Sequence, residues 1–350
     1  MVMQVSQRQT SIGPDEHEIV DHLVEHIDAY QREVVVNYYV ALKTKRCVVL
    51  AGPPDVDKMC LAQGLAEIVA RQPGLHWCLF QAHPWWTTHS GSPGQFAVAH
   101  AQFNFLKLLD FIKLASASEA VGLPFFVGVE RMSPAEVVCY FQDLPRGLVW
   151  RADASTLRIY LPENLYITGT LDVEEDRWVL SQEVYRHATI VQVDRGHVPP
   201  CAGPREMSQR RPHWQPRFTG SAIRHGDEAR AKLARILPSG HAPLAPLAEL
   251  ACRLGLAAFS PLVLEEAWLY LANAFDGDGP GLFVEPVIEN LRIAQDYVLV
   301  QSVLPRVSSQ WAEAPGIWGE VSEYLAPRFP RACAWVEGLL EGDLSERGRV

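Results

Sequence analysis

The chain lacks the marks of a membrane, secreted or metal-bound protein. No apolar run reaches the roughly eighteen residues of a membrane span, so no membrane association is expected. The first residues, MVMQVSQRQTSIGPDEHE, have no basic-then-apolar leader pattern. The seven cysteines (47, 60, 78, 139, 201, 252, 333) form no CxxC pair, and their number is odd. A disulfide framework is therefore not the expectation. A reduced, cytoplasmic chain with buried thiols is. No His/Cys/carboxylate grouping has metal-ligand spacing, so no metal is expected. His83 and His89 flank Trp85 and Trp86 without a nearby thiol or carboxylate, and read as packing or surface residues. Trp268, Trp318 and Trp335 read likewise as aromatics packed between layers or at subunit contacts.

Positive charge is also scarce. The net charge of −10 excludes a generally basic, nucleic-acid-coating surface. One stretch departs from this: residues 196–235 carry eight Lys/Arg against three Asp/Glu and are rich in proline at their start. That stretch reads as a solvated connector or, alternatively, as a basic contact strip. Arg210, Arg211, Trp214 and Arg217 would be the residues that meet a single nucleic-acid strand or an acidic partner.

What is present is a globular composition, 48% hydrophobic and 21% charged over 350 residues, enough for two or so domains. Short apolar runs at Cys47–Ala51, Cys78–Gln81, Phe125–Val129, Leu165–Thr168 and Thr189–Val193 read as strands buried on both faces. Helical patterns lie between them: Leu61, Leu65, Ile68 and Val69, then Phe103, Leu106, Leu109, Phe111, Ile112 and Leu114. This alternation predicts an α/β fold, a doubly wound parallel five-stranded sheet. Residues 1–45 form a helical entry segment, with Ile19, Leu23, Ile27 and Tyr30 as one stripe. Residues 46–195 form the core, 196–245 the basic connector and 246–350 a helical C-terminal domain. Asp276-Gly277-Asp278-Gly279-Pro280 reads there as a turn.

The stretch "VVLAGPPDVDKMCL" (48–61) half-matches the phosphate loop GxxxxGK[ST]. Gly52 and Lys58 have the correct spacing, with Pro53 and Pro54 in the turn. Asp57 stands where the second glycine would admit a phosphate, Met59 stands where a hydroxyl would bind Mg²⁺, and Asp55 adds a further carboxylate. Like unit charges about 4 Å apart repel by roughly 4 kcal/mol at an effective dielectric of about 20, close to three decades of affinity.

The neighbouring segments sharpen this. "NYYVALKTKRCVVLAG" (37–52), "QAHPWWTTHSG" (81–91), "PFFVGVERMSPAEVVCYFQDL" (124–144), "ENLYITGTLDVEEDRWVLSQEVYRHATIVQV" (163–193), "VLVQSVLPRV" (298–307) and "FPRACAWVEGLLE" (329–341) follow one another in a familiar order. Together they resemble AAA+ ATPases, in particular the branch of McrB-like motor subunits of modified-cytosine restriction systems. The resemblance spans roughly 35–341, the connector excepted. It implies a AAA+ core with a helical lid, and it assigns positions: Glu130 to the Walker B aspartate, Arg131 to the catalytic glutamate, Asp172 to the sensor-1 asparagine and Arg186 to an arginine at the subunit boundary. The lid arginine of the pattern falls loosely on Leu262.

Arginine cannot serve as a general base, and Asp172 replaces a neutral donor by a carboxylate. Phosphoryl transfer needs these parts together. The expectation is a pseudo-ATPase without catalytic residues or cofactor. It would act as a structural or regulatory subunit of a homo- or hetero-oligomer, with AAA+ or other subunits, in a defence or DNA-linked system. Two alternatives stay open: a switch that binds ATP or GTP with Mg²⁺ but hydrolyses it little, and a nucleic-acid or partner-binding module built on residues 205–235.

Overall fold

The structure is a computed structural model. It describes residues 16–347 apart from 28–29, 71, 83–98, 120–121, 144–147, 153–154, 174–179, 181, 194–213 and 309–314. His83, Trp85, Trp86, His89, Cys201, Arg210 and Arg211 lie outside the described residues.

The core is a five-stranded sheet in the order β2-β3-β6-β1-β7, every pairing parallel. Its strands are β1 (Cys47–Gly52), β2 (Trp77–Gln81), β3 (Phe125–Met132), β6 (Leu165–Asp172) and β7 (Thr189–Gln192). All five begin within a residue of where the apolar runs place them. The apolar runs do not mark the hairpin of β4 (Leu148–Ala152) and β5 (Ser155–Ile159), an antiparallel pair that stands apart from the sheet. Its signal is a period of two: Leu148 faces Ile159 and Trp150 faces Leu157.

Strand β1 shows why runs without alternation belong in the middle of such a sheet. Val48 and Leu50 enter one apolar cluster, and Cys47, Val49 and Ala51 enter a second on the opposite face. The second face is covered by α5 (Ala99–Ala117), α6 (Pro134–Asp143) and α7 (Gln182–His187). Leu109, Ile112 and Ala115 of α5 are buried there, whereas Leu114 falls outside the stripe and is exposed.

The first face is covered by α1 (Glu16–His26), α2 (Arg32–Lys45), α3 (Met59–Val69) and the C-terminal helices. A short α4 (Pro73–His76) leads into β2. Ile19, Val20 and Leu23 of α1 are fully buried, each worth about 1.5–3 kcal/mol of transfer energy. The entry stretch is two helices rather than one, and Tyr30 lies between them.

The stretch read as a connector is helical over α8 (Trp214–Gly220) and α9 (Gly226–Ile236). Phe218, Ala229 and Leu233 are fully buried and belong to the cluster on the first face. Apolar residues at helical spacing overrode the basic composition. The C-terminal helices follow: α10 (Ala245–Arg253), α11 (Pro261–Asn273), α12 (Val287–Val298), a π-helical turn at Leu299–Val303, α13 (Leu304–Val307), α14 (Pro315–Leu325) and α15 (Pro330–Arg347). Trp318 and Trp335 meet edge to face at 6.5 Å, and Trp268 lies under the Arg230 guanidinium. No helix among the described residues is long and apolar enough to cross a membrane.

The expectation of buried thiols holds for Cys47, Cys78 and Cys333 but not for Cys252, which is exposed near the end of α10.

Candidate functional site at the carboxyl edge of the sheet

After β1 the chain crosses to β2 on one side, and after β6 it crosses to β7 on the other. The edge between β1 and β6 is therefore the point where the winding reverses, the usual ligand position in open α/β sheets. Gly52 and Asp172 are register partners at that edge, and Glu130 and Arg131 lie just before the last residue of the neighbouring strand β3. The fold thus brings the sequence-derived positions together.

Their geometry runs inward. Lys58 is 3% exposed. Its ammonium lies 2.7 Å from Asp172 Oδ1 and donates to the carbonyls of Pro53 at 2.6 Å and Gly52 at 3.1 Å. An ammonium has three protons, and here each has an acceptor. The loop amides turn inward as well: Val56 N–H donates to Pro53 O and Lys58 N–H to Val56 O. Tyr30 hydroxyl holds the carbonyl of Asp57 at 2.9 Å. Pro54, Asp55 and Asp57 are exposed on the rim.

Gly52 has a packing reason to be glycine. A Cβ there would lie 2.1 Å from Val193 O. Met59 is buried, and a Cβ on Gly128 would lie 2.9 Å from its sulfur, so this side chain fills the sheet face instead of the crevice. Arg131 has φ 56° within an irregular β3–β6 pairing, uncommon for a residue with a side chain, and is exposed. Its amide donates to Thr170 Oγ1 at 3.0 Å. Burial raises the pKa of the Glu130 carboxyl above its ordinary value; Arg131 lowers it and Asp57 raises it.

These residues do not fit a nucleoside triphosphate with Mg²⁺. The lysine is already satisfied, the two loop amides are bonded to loop carbonyls, and a thioether stands in the hydroxyl position. Among the described residues no group of three or more His, Cys, Asp or Glu is arranged to hold a metal ion.

Arg186 lies elsewhere, on α7. Its side chain is 55% exposed and meets Glu183 of the same helix at 3.5 Å. The basic strip changes character once folded. Arg217 pairs with buried Asp276 at 2.8 Å, so its charge is spent inside the protein. Arg224 donates to Tyr166 hydroxyl, Arg230 pairs with Asp227, Lys232 donates to Phe275 O and Arg235 pairs with Asp278. Each Lys and Arg side chain between Trp214 and Ile236 thus has a partner within the chain. Trp214 begins α8, and its side chain lies outside the described part. Leu262, the loose match to a lid arginine, is exposed at the start of α11.

Sequence reasoning missed two buried polar nodes between the sheet and the C-terminal helices. In the first, Asp276 accepts from the amides of Glu16 at 2.8 Å and His17 at 3.4 Å, capping α1 from the far end of the chain. Glu16 beside it pairs with Lys43 at zero exposure and accepts from Tyr39 hydroxyl at 2.8 Å. In the second, Glu266 joins Lys45 and Arg306. Asp276 read only as a turn residue, and no local pattern marks partners so distant in sequence. No family model matches the chain, and no curated protein matches it.

Proposed function

We propose that the protein is a catalytically inactive AAA+-like subunit, a pseudo-ATPase that keeps the shape of a nucleotide-driven motor and works through contacts with other subunits. The observation that carries this reading is the self-satisfied lysine. The Lys58 ammonium would meet the terminal phosphates, and it is instead closed off by Asp172 and two carbonyls of its own loop. Exposed Arg131 in the water-activating position supplies no base. Exposed Arg186 is the group offered to a neighbour, which is itself or another AAA+ or unrelated subunit. The setting suggested by the resemblance, a defence or DNA-linked assembly, is part of the same proposal.

The test is calorimetric titration of the purified chain with ATP and with GTP in the presence of Mg²⁺, with solution mass measured by sedimentation. The reading expects no saturable binding tighter than about 1 mM, no hydrolysis, and a mass above the monomer. Micromolar binding would sink the closed site. Turnover abolished by Arg131→Ala would overturn the claim of inactivity. A monomer at high concentration, alone and with AAA+ candidates, would remove the assembly role.

A further inference from the structure

We infer that the C-terminal helices position the short helix carrying Arg186, through a two-ended clamp centred on Arg306. This rests on the reading of Arg186 as a subunit contact.

Helix α7 spans six residues, Gln182–His187. Forming a first helical turn is costly, and a helix this short is not stable alone. Its geometry must come from what it touches. The buried Val184 and Tyr185 anchor it to the sheet, and both ends are then fixed by one residue of α13. Gln182 Nε2 donates to the Arg306 carbonyl at 3.0 Å. In the opposite sense, Arg306 Nη2 donates to the Tyr185 carbonyl, as does Lys45 Nζ from α2. That carbonyl is one of the last in the helix, where no further helical amide follows to take it. Two cations at a helix C-terminus also oppose the partial negative charge there.

Glu266 of α11 holds the two cations in place. Its Oε2 accepts from Arg306 Nη1 at 2.7 Å and its Oε1 from Nη2 at 2.9 Å, a fork-to-fork pairing. Lys45 Nζ lies 2.9 Å from the same Oε1. Exposure across Lys45, Glu266 and Arg306 is 11% or less, so the node is buried and poorly screened. Two cations share one carboxylate, and the Tyr185 carbonyl completes the set.

The consequence reaches the next residue. The Tyr185 carbonyl is held from α13 and α2, with Glu266 of α11 behind both cations, and Arg186 follows it, facing outward. Any shift of α11 or α13 against the sheet moves the Tyr185 carbonyl and with it the exposed guanidinium. The surface is therefore set by the placement of the C-terminal helices, and it suits a carboxylate or phosphate group on an adjoining subunit.

Hydrogen exchange of the full-length chain, read by mass spectrometry over residues 182–190, tests the clamp. Glu266→Gln removes the shared charge, and Gln182→Ala cuts the other arm at an exposed position that the fold tolerates. The clamp predicts exchange in this segment faster by about tenfold in Glu266→Gln and severalfold in Gln182→Ala, with the protection of β1 and β6 kept. Self-association, measured by sedimentation, should weaken in parallel. Unchanged exchange over 182–190 in Gln182→Ala, and in Glu266→Gln where it folds, overturns the inference. Arg186→Ala should weaken association without faster exchange. If association is unaffected by that change, the reading of Arg186 falls, while the exchange data still judge the clamp.

Discussion

The Lys58 ammonium and the Asp172 carboxylate lie 2.7 Å apart, joining the loop after β1 to the end of β6. On the proposed reading, the first residue takes the phosphate-contacting position of the half-matched loop and the second that of a neutral sensor. Together they form an ion pair across the carboxyl ends of β1 and β6. Asp172→Asn should leave Lys58 with two carbonyl acceptors and one weaker amide contact. Asp172 is about two-fifths exposed, so the loss is expected nearer the roughly 1 kcal/mol of a surface pair than the 3–5 kcal/mol of a fully buried one. The urea midpoint at neutral pH measures it. A loss above about 3 kcal/mol would mean that the pair supports the whole loop.

Restoring the loop asks whether chemistry alone closes it. Asp57→Gly, Met59→Thr, Arg131→Glu and Asp172→Asn together remove two carboxylates and supply a hydroxyl and a base. If side-chain chemistry is the only barrier, Mg²⁺-dependent ATP or GTP binding should appear by titration in the micromolar to millimolar range. Continued failure would trace the closure to the backbone, where Val56 and Lys58 amides are tied to loop carbonyls and Tyr30 holds Asp57.

Gly52→Ala should be strongly destabilising, although the loop holds no phosphate on this reading. The added methyl would meet Val193 O at 2.1 Å, and backbone cannot yield as a flexible side chain can. An overpacking cost of about 3 kcal/mol or more is expected. Thermal unfolding of the variant checks it. A neutral result would return Gly52 to a ligand-binding explanation.

The Glu16–Lys43 pair, fully buried on both sides, should be costly to break singly. Lys43→Met leaves an uncompensated carboxylate and should destabilise by about 3–5 kcal/mol, while Glu16→Gln with Lys43→Met should recover much of that. Denaturant curves for the cycle give the coupling. Additive losses would show the two charges to be independent.

Stability should depend on pH through Lys45, whose pKa burial lowers to about 8. Below pH 8 this lysine is protonated in both folded and unfolded chains, and its desolvation cost is fully present. Above pH 8 the folded chain releases the proton while the unfolded chain keeps it until about 10.4. The unfolded state then binds more protons, so stability rises with pH in this window. Wild type should gain on Lys45→Met by up to about 1 kcal/mol between pH 8 and 9. A flat difference across this range would mean that Lys45 titrates outside it.

Thiol reactivity should follow exposure. Cys252 is open to solvent, while burial pushes the Cys47 thiol up to about 11 and raises that of Cys78. The thiolate is the reactive form. Iodoacetamide should label Cys252 in the native chain well before Cys47 or Cys78, as peptide mass spectrometry would report. Equal labelling rates would mean that the core opens readily.

The sequence by itself determined the sheet. Strands buried on both faces must be continuously apolar, and Cys47–Ala51, Phe125–Val129 and Leu165–Thr168 announce themselves in that way. The apolar pattern stopped at Val129 and Thr168, short of Met132 and Asp172 where the strands end, and it was the resemblance that singled out Glu130, Arg131 and Asp172. Helix stripes were legible from local pattern, down to Ile19, Leu23 and Leu65. Tertiary structure alone decided what those residues do to one another. Whether Lys58 faces outward to a ligand or inward to Asp172 depends on β6 lying beside β1, a pairing over more than a hundred residues. The fate of Arg217 depends in the same way on Asp276, and that of Tyr185 on Glu266 and Arg306. A charged residue looks the same in sequence whether solvated or paired, and only the folded chain supplies the partner.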